Sequence, residues 1–567
     1  MPTSDHFAAA ELARLCAAKG IHHAVISPGS RSAPLVIAFL EQQEIECLQV
    51  IDERSAAFFA LGMAQQLHAP VALICTSGSA VLNYGPAIAE AFYQRIPLLV
   101  ITADRPEEWV DQGEGQAIRQ QGVLALHMKK SVQLPRITSD ELARWHCGRL
   151  INEAIDATLL PVPGPVHVNV PFAEPLYGVV AKEQAESPFP ESRTIAQVMT
   201  EGFVLPEHAR WLIHQLSTSR KVMILAGQGV WSDGLRQQLA HLATLPQFSI
   251  HTEATSNLDH EAFLTCIDRA IEGVTPQNTN DLRPDLLLTF GGAVVSKRVK
   301  TLLRQWRPDQ HWHIDAGQRH FDTYQSLTHD IAVSPEIFFA QMSSGVRGSE
   351  SIYGSAWKMV DDRTRAIHNE VLQRAPFCDL SVFARLMEHL PKGGDVHLAN
   401  STPARYVQLF DRQRSNRFFS NRGTSGIDGC TSTAVGAAFA VQRTTTLITG
   451  DTAFCYDSNA FWNAHLSKHL RTIIIDNGGG NIFRYIEGPD RDAELLRWFE
   501  APHGRDIAQL VKSFGLPYFH AHDHVSLERG LEDLYREHER AAVLHIATDA
   551  VTSPQVLRDY FKQLRAS

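Results

Sequence analysis

The sequence predicts an α/β protein built from three doubly wound domains with mainly parallel sheets. Three observations carry that expectation. Short apolar runs that end in polar or glycine turns and lead into helical patterns repeat from residue 22 to residue 106. The same alternation returns over 221–315 and again over 395–548. Between these blocks the pattern weakens into ESPFPESRT and GVRGSESIYGS, whose composition suits linkers. A length of 567 residues accommodates three or four domains. The expected limits are 1–185, 195–345 and 352–567.

The elements follow in order. An amphipathic helix opens the chain and ends at Gly20. Strands are expected at His22 to Ser27, Ile45 to Ile51, Val71 to Cys75, Leu98 to Thr102 and Val166 to Val170. Helices are expected after Ser32, over Ser55 to Leu67, from Ser79 to about Tyr93, and over Asp140 to Leu159. The middle block offers strands at Lys221 to Ala226, Asp285 to Phe290 and His311 to Asp315. The last block offers helices over Ala356–Gln373 and Leu380–His389, strands at Asp395–Leu398, Thr444–Thr449, Arg471–Ile475 and Ala542–Thr548, a helix near Asn459–Leu470, and a terminal helix from Ser553.

Bulk composition narrows the classes. Apolar content of 44% and charged content of 20% are those of a soluble globular protein. A net charge of −10 argues against nucleic acid or an anionic membrane as the main partner, while leaving room for a local basic pocket. The eight cysteines form no CxxC pair and several sit in apolar runs, which suits free thiols in a reducing cytoplasm. The first twenty residues lack a basic and apolar leader pattern, and no run is long and apolar enough to span a membrane.

The stretch Leu447 to Phe483 carries the chemistry. It reads as a strand ending in Gly450-Asp451, a helix, and a strand ending in Asp476-Asn477-Gly478-Gly479-Gly480. In an open parallel sheet both turns lie where ligands bind. Asp451, Asn477 and bare glycine carbonyls are hard oxygen donors that suit Mg²⁺ sharing its shell with phosphate. An ordinary βαβ unit with polar turns would read the same. The stretch resembles the metal–diphosphate motif of thiamine-diphosphate enzymes, usually written GDG followed by NN; Thr452 and Asp476 depart from it. The resemblance implies Asp451, Asn477 and the Gly479 carbonyl as metal ligands, with Gly450 beside the cofactor, and Mn²⁺ as a substitute for Mg²⁺. Asp476 is expected to point away from the diphosphate. Glu53, directly after a strand, matches the superfamily's carboxylate that pairs with the aminopyrimidine ring.

Further segments sharpen the family: SPGSRSAPL (27–35), DER (52–54), TSGSA (76–80), TADRP (102–106), GEGQAIRQ (113–120), PFAEPLYG (171–178), SKR (296–298), NSTPAR (400–405) and NRGTSGIDG (421–429). As a set they resemble the 2-succinyl-5-enolpyruvyl-6-hydroxy-3-cyclohexene-1-carboxylate synthase family of menaquinone biosynthesis, over all three blocks. That resemblance implies a pyrimidine-binding first domain, a central domain and a diphosphate-binding third domain. It implies decarboxylation of 2-oxoglutarate on thiamine diphosphate and 1,4-addition of the succinyl-semialdehyde carbanion to isochorismate. Dicarboxylate substrates call for arginine forks. The matching positions put Ser401, Arg405 and Arg422 on the 2-oxoglutarate side, and Ser30, Arg31, Arg105, Lys297 and Arg298 towards isochorismate. Gln116 matches a glutamine that contacts the cofactor adduct, although Gly115 replaces the asparagine before it. Ile427 matches the wedge between the two cofactor rings, and Ile482 and Phe483 an apolar wall. Glu53, Arg31, Gln116, Arg405 and Arg422 are thus the implied catalytic set.

In this superfamily the first domain of one chain meets the third of another, so a homodimer or a dimer of dimers is expected. The nearest rival is another 2-oxoacid decarboxylase or carboligase, such as an acetolactate synthase; a non-catalytic binding protein is the rival of another class. Gly227-Gln228-Gly229 lacks the third glycine of a dinucleotide fingerprint. His465 and His469 have no HExxH partner and are expected to be exposed.

Overall fold

The computed structural model describes residues 3–180, 191–198, 200–317, 320–412, 415–485 and 488–566. Among them are three parallel sheets. The first holds β1 (His23–Ile26), β2 (Glu46–Gln49), β3 (Val71–Cys75), β4 (Leu98–Asp104), β5 (Lys130–Gln133) and β6 (Val166–Pro171) in the order β2-β1-β3-β4-β6-β5. The second holds β7 (Val222–Ala226), β8 (Phe248–His251), β9 (Leu286–Phe290), β10 (Gln310–Ile314) and β11 (His329–Ile331) in the order β8-β7-β9-β10-β11. The third holds β12 (Asp395–Leu398), β13 (Arg417–Ser420), β14 (Thr445–Gly450), β15 (Leu470–Asp476), β16 (Tyr518–Ala521) and β17 (Ala542–Ala547) in the order β13-β12-β14-β15-β17-β16. The first and third sheets therefore repeat one topology. Interior strands such as β3 and β4 are buried at every residue, which is why they read as unbroken apolar runs.

Helices cover both faces. In the first block α1 (Phe7–Ala18), α2 (Ala33–Glu41) and α5 (Glu141–Ala157) bury Ile74, Leu99 and Ile101 from one side. The other face packs on α3 (Glu53–Leu67) and α4 (Gly85–Gln94). The core there runs on through α10 (Cys430–Ala440) to Leu447 and Ile474 of the third sheet, so the first and third blocks share one apolar core. Helices α3 and α10 each follow the second strand of their block and lie against each other. A Cβ on Gly62 would come within 2.0 Å of the Thr433 carbonyl oxygen, and one on Gly436 within 2.0 Å of the Phe59 carbonyl. Both helices need glycine so that their backbones can touch.

Several expectations change. Strands β5, β8, β11, β13 and β16 join those foreseen. The helix after β14 is α11 (Asp451–Tyr456), not 459–470. Asp451 supplies a negative charge to its first turn. Beyond it Asn463 and Ser467 bond to nearby backbone, offering the chain an alternative to helix. His465 is half-buried, its ring set among those of Phe59 and Phe439. The supposed linker at 346–355 is no free tether: Ser349 and Ser351 donate to the Ser219 and Arg220 carbonyls, and α7 (Tyr353–Arg374) starts within it. Of the first linker, 181–190 lies outside the described residues. Just after it the Ser192 and Ile195 N–H groups bond to Glu11 and Asn152 of the first block.

Candidate active site

Two neighbouring strands of the third sheet deliver carboxylates side by side. Gly450 pairs with Ile475, so Asp451 and Asp476 leave the sheet at its carboxyl edge together. One Asp451 oxygen takes the Thr452 N–H at 2.6 Å. The other is buried without a hydrogen-bond partner and stands 3.2 Å from His503 Nε2. Ligand atoms of Asp451, Asp476 and His503 all lie within 4.8 Å of one another. Asp476 therefore stands beside Asp451 in this cluster. Its oxygens take the Gly478 N–H at 3.0 Å and meet His545 Nε2 at 2.9 Å, and His545 Nδ1 in turn meets the Tyr518 hydroxyl at 2.8 Å. Burial, then the neighbouring Asp476, pushes the Asp451 carboxyl up. Burial acts on Asp476 too, but hydrogen bonds led by His545 hold that group down.

The residues present fit a divalent cation. An orphaned, buried carboxylate oxygen with a second carboxylate beside it is costly unless a positive charge arrives. A Cβ on Gly450 or Gly478 would meet nothing within 4 Å, which leaves bare backbone beside the carboxylates. The Asn477 side-chain nitrogen donates to buried Asp379 at 3.2 Å. The Gly479 carbonyl accepts the Asn481 N–H at 2.8 Å, and Gly479 itself has φ 148° and lies against the Glu500 carbonyl.

Glu53 is the first residue of α3, capped by Asp52, which accepts the Arg54 and Ser55 N–H groups. The second Asp52 oxygen takes the Asn459 amide at 2.8 Å, and Arg54 donates to the Tyr456 carbonyl at 2.8 Å. Both neighbours are thus tied to the third block, while the Glu53 carboxyl makes no hydrogen bond among the described residues. Ile427 precedes α10 and packs against Ala399, Cys430 and Ala453. Ser401 is held at φ 74°, a strained value for serine, at the start of α9 (Thr402–Tyr406). Gln116, at φ 56°, packs on the Gly78 turn. A side chain at Gly115 would have open space.

The basic residues divide among three cavities. Lys297, Arg298 and Arg405, with Ile482, line one of about 710 Å³ between the middle and third blocks. Arg31 and Arg105 line another of about 390 Å³; Arg31 is buried, donating to the Phe172 carbonyl and pairing with Glu174. Exposed Ser30 adjoins Arg31. Arg422 borders a third of about 390 Å³ and donates to Asn400 at 2.7 Å. Within one chain Lys297 and Arg298 therefore share a cavity with Arg405, while Arg31 and Arg105 line a separate one. Burial, then Arg422, pulls Arg405 below the usual arginine range. Its guanidinium has no hydrogen-bond or ion-pair partner among the described residues. Phe483 packs on Phe499 with the rings tilted by 36° and 5.2 Å between their centres.

Several contributors escaped the sequence reading. His503 is far from Asp451 in the chain and carries no motif. Gln120 ends GEGQAIRQ and is buried: it accepts the Gly78 N–H and donates to Thr102, Ala103 and Asn169, so it sets the turn on which Gln116 lies. Buried Glu90 takes the N–H groups of Gly423 and Thr424 and the Thr424 hydroxyl, fixing the loop beside Arg422. A charged residue inside an otherwise apolar helix was its one signal.

Comparison with known proteins supplies the family. The profile of the thiamine pyrophosphate enzyme N-terminal TPP-binding domain matches residues 7–123, that of the middle domain 195–398, and that of the C-terminal TPP-binding domain 401–546. Fold and site together define a thiamine-diphosphate-dependent enzyme. Curated proteins named 2-succinyl-5-enolpyruvyl-6-hydroxy-3-cyclohexene-1-carboxylate synthase are similar over almost the whole chain. That of Flavobacterium johnsoniae is 40% identical, covering 98% of both chains. That of Porphyromonas gingivalis is 37% identical over 98% of this chain and 97% of its own, and that of Bacteroides fragilis 34% over 98% of both. The chain belongs to the 2-succinyl-5-enolpyruvyl-6-hydroxy-3-cyclohexene-1-carboxylate synthase family.

Proposed function

We propose that this enzyme decarboxylates 2-oxoglutarate and adds the remaining succinyl-semialdehyde unit to isochorismate, giving 2-succinyl-5-enolpyruvyl-6-hydroxy-3-cyclohexene-1-carboxylate for menaquinone biosynthesis. The observation that carries the substrate reading is the cavity of about 710 Å³. Lys297, Arg298, Arg405, Arg558, Lys562 and Arg565 line it against a single acid, Asp268. A pyruvate-only carboligase has no use for so many cations. Unpartnered Arg405 is placed to fork a carboxylate of 2-oxoglutarate.

Thiamine diphosphate, when bound, supplies the electron sink for decarboxylation and the nucleophilic carbon for addition. The chain's own residues bind and position. Asp451, with Asn477 and the Gly479 carbonyl, is the proposed holder of Mg²⁺ or Mn²⁺ and through it the diphosphate. Glu53 is the proposed acid–base partner of the aminopyrimidine, with Gln116 beside it. Ile427 and Ile482 give the cofactor apolar support, Ser401 and Arg422 extend the 2-oxoglutarate side, and Ser30, Arg31 and Arg105 serve isochorismate. The Arg31 and Arg105 cavity is separate from that of Arg405 within one chain, which suits a site completed in a homodimer or dimer of dimers. Free cysteines among the described residues, and no described helix long and apolar enough to cross a membrane, suit the cytoplasm.

The test is turnover of 2-oxoglutarate with isochorismate in the presence of thiamine diphosphate and Mg²⁺. Product formation supports the reading; product from pyruvate alone, with none from 2-oxoglutarate, overturns it.

A further inference from the structure

Glu253 is fully buried just beyond β8, and the roles assigned above leave it unused. One of its oxygens takes the Val295 N–H at 2.6 Å and the other the Ser296 N–H at 2.7 Å. Ser296 then caps α6 (Lys297–Trp306): its hydroxyl takes the Val299 N–H at 3.0 Å and donates to buried Asp268. The next two residues are Lys297 and Arg298, which line the large cavity with Arg405. From the other side Arg412 donates to the Glu253 and Ala254 carbonyls at 3.0 and 2.7 Å, joining this turn to the block that carries Arg405. Burial pushes the Glu253 carboxyl up to about 7 against the pull of those two N–H groups and of Lys300. Packing alone is met more cheaply by a neutral side chain, so an expensive buried acid at this point has another use.

We propose that Glu253 is a positioning residue: its carboxylate grips the backbone before Lys297 and Arg298 and sets that basic edge of the cavity against Arg405, tuning the site for a dicarboxylate 2-oxoacid. The proposal rests on reading this cavity as the 2-oxoglutarate site. Glu253→Gln keeps the shape but turns one acceptor into an amide that faces an N–H. In the holoenzyme we expect KM for 2-oxoglutarate to rise roughly tenfold, the range for a lost charge-assisted bond. The affinity for thiamine diphosphate, read by calorimetry, should stay unchanged and kcat should be regained at saturation.

Arg405→Ala is the control. If it leaves KM for 2-oxoglutarate unchanged, the cavity reading fails. If it raises KM and Glu253→Gln does not, or if Glu253→Gln weakens cofactor and substrate alike, the positioning role is wrong. Should the glutamine variant not fold, Ser296→Pro and Ser296→Ala decide. Ser296 has φ −58°, which proline accepts, so only the proline variant removes the N–H that Glu253 holds. A rise in KM for proline beyond that for alanine supports the proposal; equal values overturn it.

Discussion

Arg405→Ala separates binding from stability because the two effects have opposite signs. The Arg405 guanidinium is half-buried in the wall of the 710 Å³ cavity and makes no hydrogen bond or ion pair among the described residues. Burial, Arg422 and Arg298 all disfavour its charge, against the pull of Asp268. Truncation therefore relieves repulsion in the free protein, so Tm should hold or rise. Binding should suffer. A fork on a substrate carboxylate contributes about 1.5–3 kcal/mol, which converts to roughly 10- to 150-fold in kcat/KM. Arg405→Lys keeps the charge but not the fork and should recover only part of the loss. Steady-state kinetics with 2-oxoglutarate, beside calorimetry of the substrate-free protein, reads both quantities. A fall in Tm with an equal loss of thiamine diphosphate affinity would show that Arg405 holds structure, and the reasoning would be refuted.

Glu53→Gln should slow turnover by on the order of 10²–10⁴ while leaving Tm unchanged, since the carboxyl has no hydrogen-bond partner among the described residues; unaltered kcat would remove its acid–base role. Gly436→Ala sets helix propensity against packing. Alanine gains about 1 kcal/mol in an isolated helix, but its Cβ would sit 2.0 Å from the Phe59 carbonyl, so net destabilisation of about 3 kcal/mol or more is expected in urea titration. A more stable variant would mean that α3 and α10 do not touch. His167, His311 and His397 are held down to about 4 by burial. The unfolded chain takes up their protons near pH 6.5 and the folded chain does not, so stability falls as pH drops from 6.5 towards 4, by about 3 kcal/mol for each histidine at pH 4. His167→Gln should flatten that slope by one proton; an unchanged slope in a Tm–pH series would count against it.

The strands legible in the sequence and those missed differ in where they lie. Each of β5, β8, β11, β13 and β16 is at the edge of its sheet. Interior parallel strands are covered on both faces and must be apolar throughout, whereas edge strands such as KSVQ or HDI carry polar residues and look like loops. The helix wrongly placed at 459–470 has a related cause. Its Asn and Ser residues fit a helical spacing, yet their side chains satisfy local backbone instead. At the site, positions set by the carboxyl ends of strands, Asp451 and Asp476, were readable. Contacts between residues distant in the chain were not: His503 against Asp451 leaves no local pattern, and Glu90, a charge inside an apolar helix, gives no hint that its partner is the Gly423 loop.

Net charge was the least informative number, and the layering of charge explains why. A chain at −10 builds a cavity lined by six cations because, apart from Asp268 in the lining, the acids that support them stand behind. Glu253 holds the turn that starts α6. Glu272 binds Arg298 on one oxygen and Arg565 on the other, each at 2.5 Å. Asp268 takes the Ser296 hydroxyl and lowers the cost of Arg298 and Arg405. These buried carboxylates let the protein fold with its cations gathered, and they leave the front of the cavity positive. Solvent screens the surplus acids on the outer surface within about 10 Å, so they do not cancel that field. An anionic substrate thus meets a positive wall on a protein whose overall charge would repel it.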